Sequence, residues 1–64
     1  MSLDEARALI ADPHANRTVE YKPHDGRTEY GIVVSVNNRW VFVVYSDSWQ
    51  PKATAPEDLT VVAG

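Results

Sequence analysis

At 64 residues with no cysteine, the chain has room for a single domain, 1–64, and for neither disulfides nor thiolate metal sites nor thiol nucleophiles. Six Lys and Arg against nine Asp and Glu give a formal net charge of −3, which runs against the phosphate neutralisation that general nucleic-acid affinity requires. The middle of the chain is different: Arg17, Lys22, Arg27, Arg39 and Lys52 stand against Glu20, Asp25, Glu29 and Asp47, five cations to four anions.

The first ten residues, MSLDEARALI, carry acid where a leader peptide carries positive charge, and their apolar run is short and interrupted, so a cytoplasmic location without membrane association is expected. Ser2 and Glu5 have the spacing of a capping box. A helix is predicted over 3–11, with Leu3, Ala6 and Ile10 recurring on one face and Leu9 beside them, until Asp12-Pro13 stops it. Asp4 and Glu5 suit the positive end of its dipole. Nine residues make a marginal helix in water, so it should dock its apolar stripe on the rest of the domain. Residues 13–16 read as a linker.

From Arg17 the period changes towards two. RTVEYK is a first strand, 23–27 a turn-rich loop with an Asp25-Gly26 step, and 28–37 and 39–46 form a hairpin across Asn37-Asn38. Asn tolerates the positive φ of a tight hairpin turn. A polar loop at 47–51, a short strand at 52–55, a helical or 3-10 turn opened by Pro56, and a last strand at 60–63 complete the order. In the third strand Val41 and Val43 are expected inside with Val33, leaving Trp40 and Phe42 to pack under the helix or to face a partner.

Five short antiparallel strands with a helical turn before the last suggest a small, strongly bent barrel over 17–63, a mostly β fold with a short N-terminal α-helix. The run Glu29-Tyr30-Gly31-Ile32-Val33-Val34-Ser35-Val36, then Trp40 to Tyr45, closed by Ala55-Pro56-Glu57-Asp58-Leu59, resembles SH3-like small barrels of the Tudor and KOW kind. It is also similar to small actinobacterial-phage proteins that join an N-terminal helix to such a barrel. The resemblance implies a five-stranded antiparallel barrel in which Gly31 marks a bend where a side chain would obstruct packing. It further implies a phage accessory or regulatory protein of the host cytoplasm. The chain has neither the dense acidic loop of peptide-binding SH3 domains nor the strongly basic loop of RNA-binding KOW domains, so the resemblance implies architecture and no ligand.

Catalytic chemistry finds little to build on. His14 and His24 lack the spacing that directs two imidazoles at one metal, His24-Asp25 has no nucleophile tied to it, and Glu57-Asp58 reads as the acidic first turn after Pro56. Gly26, Gly31 and Gly64 never approach the spacing of a phosphate loop. No enzyme, metal or cofactor is therefore expected. The aromatic residues are better candidates, since Trp and Tyr anchor binding surfaces. Trp49 sits in a polar loop, where it either covers a barrel end or recognises a partner. Tyr21, Tyr30 and Trp49 are expected to line a groove, with Trp40 available beside them and Asp47 and Asp25 orienting a basic or polar group. The leading expectation is a non-catalytic module that binds a protein or peptide segment. The alternatives are a nucleic-acid-binding barrel, using Arg17, Lys22, Arg27, Arg39 and Lys52 on phosphates, and a self-assembling structural component.

Overall fold

The structure, a computed structural model, describes residues 1–22 and 26–62. Helix α1 runs Leu3–Ala11, and Ser2 and Glu5 form the capping box: the Glu5 N–H donates to Ser2 Oγ at 3.1 Å and the Ser2 N–H to Glu5 Oε1 at 3.0 Å. The helix ends at Asp12, whose extended backbone suits the proline that follows. Its last turn contains no basic residue. Arg17 supplies that charge from beyond the linker, donating through Nε to the Leu9 carbonyl at 3.2 Å and through Nη2 to the Ile10 carbonyl at 3.0 Å. Both are carbonyls that a helix end leaves without intrahelical partners.

Five strands follow: β1 Thr18–Tyr21, β2 Glu29–Val36, β3 Val41–Tyr45, β4 Lys52–Thr54 and β5 Leu59–Val61, with a 3-10 turn Pro56–Asp58 before the last. They form one antiparallel sheet in the order β4-β3-β2-β1-β5. Among the described residues no pairing joins β4 to β5, so the sheet is open between its two ends. The amino group of Met1 donates to the carbonyls of Pro56 at 3.0 Å and Leu59 at 2.6 Å, tying the start of the chain to the 3-10 turn.

The β2–β3 connection departs from the expected tight turn. Neither Asn37 nor Asn38 takes a positive φ. Instead, Asn37 Oδ1 accepts from the backbone N–H of Arg39 at 2.8 Å and of Trp40 at 2.6 Å, while the Asn37 N–H donates to the Trp40 carbonyl at 3.0 Å. The side chain thus replaces the backbone acceptor, and the Asn37 carbonyl is left for Arg7 Nη2 at 3.3 Å. Strand β3 accordingly starts at Val41, and Trp40 belongs to the turn.

Ala6, Val19, Val33, Val41, Val43, Tyr45 and Leu59 form the buried core, with Met1, Leu3, Ile10, Tyr21 and Val36 packed on it. Val33, Val41 and Val43 lie inside as their volume suggested. Between Val33↔Val43 and Ser35↔Phe42 the register shifts by one residue. Val34 and Ser35 both face solvent there. The extra residue restores the inward direction for Val36, opposite Val41, where an unbroken alternation would have turned it outward. The helix covers this inner face, and Ala6 is fully buried in it. Trp40 and Phe42 do not lie under the helix: its stripe of Leu3, Ala6 and Ile10 packs on the valines, and the strand period places Phe42 on the opposite face.

One polar pair is buried in the core. Tyr45 Oη and Thr54 Oγ1 are 2.8 Å apart, the Thr54 hydroxyl also reaches the Lys52 carbonyl at 3.3 Å, and the Tyr45 ring lies 5.8 Å from that of Tyr21. Thr54→Val leaves the phenol without this partner and is expected to cost about 1–3 kcal/mol, against about 0.5–1.5 kcal/mol for Tyr45→Phe. The double variant should cost less than the two together, which urea denaturation of all four proteins checks. Burial pushes the Tyr45 phenol above its ordinary value of 10.0, with the Thr54 hydrogen bond opposing and Tyr21, Glu29 and Asp58 reinforcing. The folded state therefore holds this proton more tightly than the unfolded chain. Its contribution is complete below pH 10.0 and disappears as pH rises through the folded value. In Tyr45→Phe the alkaline loss of stability should be shallower.

Candidate functional site

An antiparallel sheet with one wet face alternates apolar and polar residues, whereas a strand covered on both faces is apolar throughout. Strand β3, VFVVY, is of the second kind, and β2, EYGIVVSV, approaches it through Tyr30 to Val34, between Glu29 and Ser35. The helix packs on one face of them, and among the described residues no element packs over the other. On the other face Tyr30 is 53% exposed, Ile32 46% and Val34 41%, a row along the middle strand of the sheet. Phe42 and Val44 of β3 share this face and are half-buried, and Trp40, at the end of the turn, is 39% exposed.

The register aligns these residues into transverse rows. Ile32 lies between Thr18 and Val44, Tyr30 opposes Glu20, and Phe42 opposes Ser35 and Ala53. At one end of the face Thr18, Tyr30, Gly31, Ile32, Val44, Tyr45 and Ser46 line an open depression of about 300 Å³. Among the strand residues directed to this face is one carboxylate, Glu20, whose Oε1 lies 3.1 Å from Lys22 Nζ. The surface offers apolar burial and a shape. Among the described residues no cluster of three His, Cys, Asp or Glu side chains is arranged to hold a metal ion.

The expected aromatic groove is not assembled as drawn. Tyr21 packs on the core beside Tyr45, while Tyr30 is on the outer face, because they sit at opposite parities of paired strands. Trp49, 84% exposed, covers no end of the sheet. Its loop is nonetheless ordered by local bonds: the Ser48 N–H donates to the Tyr45 carbonyl at 3.1 Å and the Gln50 N–H to Ser48 Oγ at 3.2 Å. Asp47 is exposed in the same loop. The readings placed on His24 and Asp25 lie outside the described residues. Ile32, Val34 and Val44 were not singled out from the sequence, although the apolar run Ile32-Val33-Val34 within β2 carried the signal.

The basic residues are dispersed. Arg17 is spent on the helix end and Lys22 on Glu20. Arg27, Arg39 and Lys52 are exposed, on the loop entering β2, the β2–β3 turn and the first residue of β4 respectively. No helix among the described residues is long and apolar enough to cross a membrane.

No family model, no curated protein and no solved structure matches this chain. The outer sheet face is thus interpreted from its own chemistry.

Proposed function

We propose that the protein is a non-catalytic binding module, an SH3-like small barrel in architecture, which recognises a protein surface through the outer face of β2 and β3. The observation that carries this reading is that β2 and β3 present apolar residues on both faces, while among the described residues an element packs over only one of those faces. The return of β5 to β1 after a 3-10 turn supports the small-barrel architecture. An exposed row of Tyr, Ile and Val, with Trp40 at one end and a depression at the other, has the aromatic and aliphatic anchors from which interface centres are made. Trp49, held out on an ordered loop, is a second anchor. The engagement of Arg17 and Lys22 within the fold weighs against a phosphate-binding use of the same barrel.

A library of displayed protein segments, panned on the wild type and counter-screened on Ile32→Glu and Trp49→Ala, tests the reading. Segments that bind the wild type and lose binding to Ile32→Glu are expected. Absence of any enriched segment, or binding indifferent to both substitutions, would overturn it. Retention of nuclease-sensitive material that disappears with added salt would replace the protein partner by nucleic acid.

A further inference from the structure

Resting on that assignment of the outer face, we infer that its partner is a second copy of this chain, packed face to face across a two-fold axis. The charge pattern permits an identical partner. Two-fold symmetry brings each residue against the same patch of the other copy, so any unbalanced charge at the centre meets its own kind. Here the centre is Tyr30, Ile32, Val34, Phe42 and Val44, and the one carboxylate among the strand residues of the face, Glu20, is already paired with Lys22. The face is compatible with itself.

The positions of the anchor and the depression agree with this. Trp40 stands at one end of β3 and the depression beside Val44 at the other, four residues or about 13 Å away along the strand. An axis running across the strands at Phe42 exchanges those two ends. It brings the Trp40 of each copy to the depression of the other, whose 300 Å³ compares with the roughly 150 Å³ that holds a benzene ring. Aligned packing of two sheet faces about 10 Å apart is an ordinary arrangement.

The area sets the strength. The exposed parts of these six residues amount to on the order of 400 Å², the size of the largest apolar patch on an ordinary monomer. Rim residues such as Thr18, Ser35 and Ala53 extend it towards the roughly 800 Å² per partner of a stable interface. An area short of a stable interface is expected to give a dimer that dissociates on dilution.

Analytical ultracentrifugation from low micromolar to near-millimolar concentration should show the mass rising from 7.1 kDa towards twice that value. Ile32→Glu places a carboxylate in the apolar lining of the depression that receives the other copy's Trp40 and should weaken dimerisation by at least about 100-fold. Trp40→Ala should weaken it by about tenfold or more, while Glu57→Gln, on the 3-10 turn, should leave it unchanged. Both face residues are exposed, and far-UV circular dichroism verifies that the variants remain folded. A single species of 7.1 kDa at every concentration, or a dimer unaffected by both face substitutions, overturns the proposal. A monomer whose display-selected segments are nevertheless lost in Ile32→Glu overturns only the second copy as partner and leaves the face as a protein-binding surface.

Discussion

Leu59→Ala is expected to lower the unfolding free energy by about 2–5 kcal/mol, enough to unfold much of the protein at room temperature. A domain of 64 residues has a total stability of about 3–10 kcal/mol at the usual value per residue. Leu59 is the largest of the fully buried side chains and stands where three parts of the fold meet. Its N–H closes the 3-10 turn on the Pro56 carbonyl, its own carbonyl accepts the Met1 amino group, and it is the register partner of Tyr21. Truncation leaves a cavity in a core of seven buried apolar residues with few neighbours to collapse into it. Urea unfolding followed by far-UV circular dichroism measures the loss. A change below about 1 kcal/mol would mean that the site collapses freely and that Leu59 is not central to the core.

Gly31→Ala is the second large effect, and its sign is the informative part. Gly→Ala at a compatible position usually stabilises by about 0.4–1 kcal/mol, because it restricts the unfolded chain. At Gly31 an added Cβ would lie 2.5 Å from Val43 Cγ1, 2.8 Å from the Val44 carbonyl oxygen and 3.0 Å from Tyr45 Cδ1. A side chain can rotate away, but the Val44 oxygen belongs to the β3 backbone in the middle of the pairing with β2. The expected result is a loss of about 1–3 kcal/mol and a fall in Tm of several degrees or more for each kcal/mol. Adding Val43→Ala removes one of the three obstructions and should not restore stability, because the carbonyl remains and a core valine has been truncated. A melting temperature for Gly31→Ala at or above the wild-type value would contradict the close approach of the two strands.

These two positions also mark what was legible in the amino-acid sequence. The obstruction at Gly31 was implied by the resemblance to small barrels, and the valine interior followed from residue volume. The helix and its capping box followed from a local spacing rule that no tertiary contact opposes. What failed were choices between two faces. Where β3 offers valines on one parity and Trp40 and Phe42 on the other, hydrophobicity alone does not say which side the helix will cover. Ala6 decides it by allowing close approach to the valine face. The one-residue shift at Val34 was hidden for a related reason, since a slip between two apolar residues leaves no mark in the pattern. The backbone of the Asn37-Asn38 turn was misread because the Asn37 side chain provides an acceptor that makes a positive φ unnecessary. Arg17 was read as a surface cation, and only the return of the chain past the helix end brings it to the Leu9 and Ile10 carbonyls. The exposed row of Tyr30, Ile32 and Val34 was visible in the letters, but a sequence expected to form a closed barrel invites every valine to be assigned to its interior.

The two terminal strands of the sheet, β4 and β5, are three residues long each. A sheet grows into a fibril by adding strands at its margins, and a margin that short presents few free N–H and C=O groups to template the next strand. The β4 margin is blunted further by Pro51 immediately before it and by the exposed charge of Lys52 at its start. The molecule therefore leaves its stickiest surface broadside rather than at its rim. Contacts through a broad side are satisfied once two surfaces meet, whereas contacts through a rim propagate without limit. A chain with so much valine in this way offers fibril growth little strand margin to start from.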